Sequence, residues 1–143
     1  MRKKTVLEAA FRLEMDVRTV MGDRMHSLNL GISQMQMRAL RAIWSSHDVT
    51  SQYIASTLKR DKAQVTRLVN ELVEQGLVAR EPNPDDMRSK LLRLTEAGNH
   101  IFRQIEEVQQ EVYSEMVKGI DESDLQTFFN VSDQLSENIR QMD

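Results

Sequence analysis

The chain has 143 residues, of which 40% are hydrophobic and 29% charged, with a net charge of −3. This composition allows one hydrophobic core and excludes a largely disordered chain. There is no cysteine, which excludes disulfides, thiolate catalysis and cysteine-based redox sensing. No apolar run approaches the roughly 20 residues needed to cross a bilayer, and the early acids Glu8, Glu14 and Asp16 argue against a signal peptide. We therefore expect a cytoplasmic protein without a membrane partner.

Charge is distributed unevenly along the chain. Residues 1–98 carry 16 Lys/Arg and 12 Asp/Glu, whereas residues 99–143 carry 3 and 10. Within residues 31–60, four basic residues accompany a single acid, Asp48. This distribution favours a surface that binds a polyanion. The alternative, an acidic tail that is simply a solvated helix face, remains open on composition alone.

The first 60 residues predict three helices. Apolar residues three or four apart predict a long helix over about residues 4–28. Ser33, followed three residues later by glutamine, has capping-box spacing and predicts a helix to about Ser45. Thr50 is predicted to cap a short helix over residues 51–58. The side chains predicted to be buried by the second and third helices are Met37, Leu40, Ile43, Trp44, Ile54, Ala55 and Leu58.

The next segment predicts a helix followed directly by a hairpin. Asp61 is predicted to cap a helix over about residues 62–75, which Gly76 ends. We predict strands over residues 77–81 and 91–94, joined by a nine-residue loop over residues 82–90, with Thr95 beginning the next helix. A helix that leads into a hairpin with a cationic tip is the layout of a winged helix-turn-helix, which can contact a major and a minor groove of DNA together.

Two long helices are predicted after the hairpin, separated near Gly119 and Asp121. Their apolar stripes, like that of the first helix, exceed what the compact centre can cover. We therefore expect residues 1–29 and 99–143 to form a helical dimerisation region and residues 30–98 to form a DNA-binding domain. A closed monomeric bundle is the alternative. The predicted fold is mainly α, a winged helix-turn-helix with a small β-hairpin wing and long terminal dimerisation helices.

The polar face of the helix over residues 62–75 is the predicted DNA-reading surface. Arg67 can donate two hydrogen bonds to guanine, and Gln64 or Asn70 can pair with adenine. The alternative is an ordinary solvated helix face. The further predicted residues on this helix are Lys62 and Thr66, as phosphate contacts, and the outward-facing Ala63. On the preceding helix, Ser51 and Gln52 are predicted phosphate contacts.

The hairpin tip is the second predicted DNA contact. Arg88 is predicted to enter the minor groove of A·T-rich DNA, and Lys90 to contact phosphate. Asp86 is predicted to hold the Arg88 guanidinium in a bidentate ion pair. The alternative is a surface turn with an incidental ion pair, which contributes little energy.

These motifs together resemble the MarR family of bacterial transcriptional regulators. The resemblance covers nearly the whole chain, and the matching motifs occur in order and at the expected spacing. Met87 departs from many relatives, which carry a basic residue there, so the electrostatic contribution of this wing tip is reduced. The residues that carry the resemblance are the run 61–69 with Leu72, then Gly76-Leu77-Val78, Arg80, Asp86-Met87-Arg88 and Leu94-Thr95-Glu96-Ala97-Gly98.

The resemblance implies a homodimer, built from the N- and C-terminal helices, that binds palindromic double-stranded DNA operators and usually represses transcription. It also implies release by a small aromatic or phenolic effector lodged between the dimerisation helices and the winged domain. The predicted function is thus a sequence-specific DNA-binding regulator. The main alternative is a winged-helix protein–protein interaction module without sequence-specific DNA binding.

An enzymatic reading has little support. His26, His47 and His100 lack the spacing of metal ligands, and there is no glycine-rich phosphate loop or nucleophile elbow. We therefore predict no catalytic residues, no metal and no cofactor. A hydrolase or transferase on a helical scaffold is kept as a third alternative.

Overall fold

The computed structural model describes residues 4–142, which form six helices and one two-stranded antiparallel sheet. The predicted mainly α class with a hairpin wing is confirmed. Residues 1–3 and 143 of the predicted dimerisation region lie outside the described residues. The elements are α1 (Val6–Leu28), α2 (Gln34–Ser45), α3 (Ser51–Leu58), α4 (Lys62–Glu74), β1 (Val78–Pro82), β2 (Lys90–Leu94), α5 (Glu96–Met116) and α6 (Glu122–Arg140).

Side-chain caps begin the helices where the sequence predicted them. Ser33 and Gln36 form the reciprocal capping box at the start of α2, with bonds of 3.0 and 3.1 Å. The Thr50 hydroxyl accepts a bond of 3.1 Å from the backbone N–H of Tyr53. The Asp61 carboxylate accepts one of 2.8 Å from the N–H of residue 64. Each cap satisfies a backbone donor that the first helical turn leaves without a partner.

The core of the winged region lies among α2, α3, α4 and the hairpin. Leu40, Ile54 and Leu72 are fully buried and come from three different helices, and Leu92 of β2 is 1% exposed. Burial of one such side chain contributes roughly 1.5–3 kcal/mol. The β2 strand is also tied to the loop before α3, because the backbone N–H of Leu92 donates to the Val49 carbonyl at 2.8 Å.

Two predictions about this region are wrong in detail. The sequence predicts burial of Trp44, but this residue is 51% exposed and stacks on Phe102 of α5 with ring centroids 4.7 Å apart. The small residues Ala39 and Ala42 take the inward positions of α2 instead. The hairpin is longer than predicted, because Pro82 pairs with Lys90 and leaves a loop of residues 83–89. The terminal pair extends the ladder although proline has no N–H to donate.

The terminal helices bury little. Neither α1 nor α6 has a buried residue, although both carry large apolar side chains. The chain divides into two compact units within α5, the first ending at Val108 and the second beginning at Gln109. The predicted functional boundaries, at residues 29/30 and 98/99, stay a prediction.

Candidate nucleic-acid interface

Helix α4 separates its apolar and polar faces as the sequence predicted. Its inward residues Val65, Leu68, Val69 and Leu72 are buried, and Val73 is half-buried. This packing fixes the rotation of the helix and leaves the opposite face in solvent. The candidate residues on that exposed face are Lys62, Ala63, Gln64, Thr66, Arg67 and Asn70.

The polar face is cationic at its N-terminal half. Among the described residues, no carboxylate forms an ion pair with Lys62 or Arg67. The Thr66 hydroxyl donates to the Lys62 carbonyl at 2.8 Å, so it must give up this bond to donate to a phosphate. Glu71 lies in the second half of α4 and accepts a bond of 3.4 Å from buried Gln36. This bond ties α4 to the start of α2.

The start of α3 presents two further candidates. Ser51 is half-buried and Gln52 is exposed in the first turn of the helix. Helix α3 packs on α4, and β1 packs on α4 as well. The candidate residues of α3, α4 and the hairpin therefore belong to one packed group of elements.

Hydrogen bonds within the loop organise the wing tip. The Asn83 side chain donates to the Ser89 hydroxyl at 2.9 Å and accepts from the backbone N–H of Asp85 at 3.0 Å. The predicted Asp86–Arg88 ion pair is not formed. Instead, the Asp86 carboxylate accepts a bond of 2.9 Å from the backbone N–H of Arg88, because a two-residue separation favours this local Asx turn.

The wing cations project freely as a result. Arg88 and Lys90 are exposed, and neither is paired with a carboxylate among residues 4–142. Asp86 thus orients the backbone of Arg88 and leaves its guanidinium available. Met87 at the tip is 91% exposed, so its side chain contributes nothing to the core.

Two arginines of the hairpin strands make contacts that the sequence does not predict. Arg80 of β1 donates to the side-chain oxygen of Asn70 and so joins the hairpin to α4. Arg93 of β2 pairs with Glu81 at 3.3 Å and with Asp48 at 3.6 Å. Alternation along β1 could have indicated the first contact, because residue 80 shares a strand face with buried Val78.

A compact junction links the end of α4 to the start of α5. The Thr95 hydroxyl donates to the Gly76 carbonyl at 2.6 Å and accepts from the Gly98 N–H at 3.1 Å. The Thr95 N–H donates to the Leu77 carbonyl at 3.1 Å. A Cβ at Gly98 would lie 2.1 Å from that carbonyl oxygen, so the close approach requires glycine. This geometry explains the Leu-Thr-x-x-Gly motif.

The described part of the chain was also compared with the requirements of a metal site and of a membrane-spanning helix. Within residues 4–142, no three His, Asp or Glu side chains are grouped to hold a metal ion. No helix in this range combines the length and hydrophobicity needed to cross a bilayer. A cleft of about 400 Å³ is lined by residues of α2 and α3, among them Arg38, Arg41 and Thr57.

Helix α3, helix α4 and the hairpin define this region as a winged helix-turn-helix. A sequence model of the MarR family matches residues 30–89. The multiple antibiotic resistance protein MarR of Escherichia coli is 31% identical over 99 residues, which cover 68% of this chain and 69% of that protein. The transcriptional repressor IacR of Pseudomonas putida is 34% identical over 62 residues, 43% of this chain and 37% of IacR. The chain belongs to the MarR family of transcriptional regulators.

Solved structures share this fold over nearly the full length. Wild-type MarR of Escherichia coli in its apo form superposes with a TM-score of 0.71 at 23% identity, covering 94% of this chain and 98% of that one. A mutant of Staphylococcus aureus MepR bound to an oligodeoxyribonucleotide gives a TM-score of 0.65 at 21% identity, with coverages of 94% and 99%. The predicted class of function, a DNA-binding transcriptional regulator, is confirmed, and the protein–protein module is not favoured.

Proposed function

We propose that this chain acts as a homodimer that binds a palindromic operator and represses transcription, without catalytic activity. Residues 30–98 form the DNA-binding domain in this proposal, and residues 1–29 and 99–143 form the dimerisation region. Two α4 helices enter successive major grooves about one helical turn apart. Arg67, Gln64 and Asn70 read bases, and Arg88 enters a minor groove. The phosphate contacts are Ser51, Gln52, Lys62, Thr66 and Lys90, while Ala63 lies in the contact face and Asp86 orients the wing.

The observation that carries the proposal is the exposed, cationic N-terminal half of α4 on a helix fixed by its neighbours. Arg67 projects from this half without a carboxylate partner among the described residues. Its guanidinium can donate to two acceptors of guanine without first breaking an ion pair. Rotation of the helix is restricted by the four buried side chains on its other face. An interface held in this way loses little conformational entropy on binding.

Dimerisation is supported by the exposed apolar side chains of the terminal helices. Phe11 of α1 is 66% exposed and Ile139 of α6 is 64% exposed. Large apolar side chains exposed along a helix are costly in water and are typical of an interface. A two-fold dimer repeats the DNA-binding surface on the symmetry of a palindrome. The DNA-bound MepR structure supports DNA binding by a chain of this fold.

A small aromatic or phenolic effector is proposed to release the DNA by changing the spacing of the two α4 helices. Such a ligand acts only through different affinities for the two spacings. The Thr95–Gly98 junction supports this coupling, because it attaches the start of α5 to the end of α4. Trp44 is the chain's one tryptophan and stacks on Phe102 of α5. A saturable change in its fluorescence with benzoate or phenol, accompanied by release of DNA, is the expected result.

The DNA-binding proposal is tested by fluorescence anisotropy with duplex DNA at increasing salt. If about six or more phosphates are neutralised, the affinity should fall roughly 10³-fold or more between 50 and 200 mM salt. A flat salt response would contradict the proposal and favour a protein–protein module. We also propose that this regulator acts in the cytoplasm.

Substitution of Arg67 tests base reading in that assay. Arg67→Ala should reduce discrimination between operator and random DNA by roughly 1–3 kcal/mol. Arg103→Ala is the matched control, because Arg103 is an exposed arginine of α5 that is not among the proposed DNA contacts. Equal losses of discrimination in the two variants would show that charge alone matters and would contradict base reading by Arg67.

A further inference from the structure

The contact between Asn70 and Arg80 determines which groups the middle of α4 offers to DNA. The Arg80 guanidinium donates to the side-chain oxygen of Asn70, and both residues are exposed. Among the described residues, Arg80 has no carboxylate partner. By contrast, Arg93 on the neighbouring strand is neutralised by two carboxylates. Arg80 is therefore the cation of the paired strands that is held against the DNA-reading helix.

This contact changes the chemistry of the asparagine amide. To pair with adenine, an asparagine accepts from N6 and donates to N7. The Asn70 oxygen already accepts from Arg80, and the amino group of adenine would approach its second lone pair beside a guanidinium charge. The bond also fixes the orientation of the Asn70 amide, and it polarises the Nδ2 hydrogens toward stronger donation.

We propose that Arg80 is a positioning and specificity-determining residue that makes the Asn70 position select guanine over adenine. Guanine offers two acceptors, N7 and O6, in the major groove, whereas adenine offers one acceptor and one donor. The Asn70 N–H groups and the unused guanidinium hydrogens present donors, and the one remaining acceptor lone pair of Asn70 lies beside the guanidinium charge. The inference rests on the proposed function and refines the adenine pairing expected from Asn70 alone.

The experiment compares binding to operator duplexes in which single base pairs are replaced. At one position in each half-site, the wild-type protein should prefer guanine over adenine by between about fivefold and a hundredfold. Arg80→Ala and Asn70→Ala should each lose this preference at that same position while other positions keep theirs. The double variant should lose no more than either single variant, because the two residues act as one unit.

Two variants separate this role from a purely structural one. Asn70→Asp can still accept from Arg80 but has no hydrogen to donate, so its preference should move away from guanine toward cytosine. Arg93→Ala removes a strand arginine that contacts carboxylates and should keep the guanine preference even if the hairpin is weakened. Thermal unfolding of each variant checks that the fold is retained.

Two outcomes would overturn the inference, and they differ from failure of the proposed function. Retention of the guanine preference in Arg80→Ala, or additive losses in the double variant, would overturn the inference while leaving DNA binding intact. Absence of any base preference in the wild-type protein would overturn the proposed function together with the inference.

Discussion

The winged region buries its apolar side chains, whereas the terminal helices α1 and α6 leave theirs exposed. Helix α2 buries four apolar residues in 12, besides the polar Gln36, and α4 buries four in 13. Helix α1, with 23 residues, and α6, with 19, bury none. All four helices are amphipathic, so the pattern alone does not tell an internal core from a surface that a second subunit covers. The comparison shows that one chain covers the apolar side chains of α2 and α4 but leaves those of α1 and α6 exposed.

The largest expected effect comes from placing a charge among the exposed apolar side chains of α6. Ile139→Asp should convert the proposed dimer to monomers, because the dimer interface would bury a carboxylate without a partner, which is strongly unfavourable. Loss of the linked second half-site should lower operator affinity by roughly 10² to 10⁴-fold. Sedimentation equilibrium and anisotropy measure the two effects.

Asn130→Asp is the matched control for this substitution. It adds the same charge to α6 nine residues away, half a turn round the helix from Ile139. It should leave both the oligomeric state and the affinity unchanged. A wild-type protein that is monomeric at micromolar concentration would contradict the dimer.

The next effect compares the loss of a buried leucine of α2 with the loss of a partly exposed leucine of α6. Leu40→Ala removes a fully buried side chain of α2 and should lower the free energy of unfolding by about 2–5 kcal/mol. Leu135→Ala of α6, which is 36% exposed, should cost less at protein concentrations below dimerisation. Urea unfolding over a range of protein concentrations measures both. If both variants lost the same free energy of unfolding at every protein concentration, the contrast between the buried α2 and the exposed α6 would be contradicted.

Much of the winged region could be predicted from the sequence because its signals are local. Ser33, Thr50 and Asp61 cap the helices as expected, and α4 buries the predicted stripe. Burial of Trp44 was wrongly predicted, because helical periodicity assigned the inward positions without showing that alanines fill them. The predicted Asp86–Arg88 ion pair is not formed, because the Asp86 carboxylate binds the backbone N–H of Arg88 instead of its guanidinium.

The contacts that organise the site join distant parts of the chain, so spacing alone did not reveal them. Gln36 reaches Glu71, Arg80 reaches Asn70 and Arg93 reaches Asp48. Their existence depends on the packing of helices against the hairpin. The assigned DNA-contact roles themselves remain predictions that binding measurements must test.

A smaller effect compares two glycines, one in each region. Gly98→Ala should destabilise the fold by about 1–3 kcal/mol, because the new Cβ would meet the Leu77 carbonyl oxygen at 2.1 Å. A Cβ added to Gly22 of α1 would have no neighbouring atom within 4 Å, so Gly22→Ala should stabilise by about 0.5–1 kcal/mol through helix propensity. Thermal unfolding of the two variants should show shifts of opposite sign. An unchanged or raised melting temperature in Gly98→Ala would contradict the close approach at the junction.

The smallest expected effect lies at the end of α6. Hydrogen bonds from Arg140 and then from Gln141 lower the pKa of Glu137 below 4.5, its ordinary value. Its stabilising contribution is therefore present above pH 4.5 and is lost as the pH falls through the lowered folded-state pKa. Carboxyl NMR titration should give a lower pKa for Glu137 in the wild-type protein than in Arg140→Ala. Equal values would remove Arg140 as the cause.

Selection of bound sites from a random pool of duplex DNA tests the central proposal most directly. We expect enrichment of one sequence with two inverted half-sites, whose centres lie about one helical turn apart. Recovery of a single half-site without symmetry, or of no enriched sequence, would contradict it.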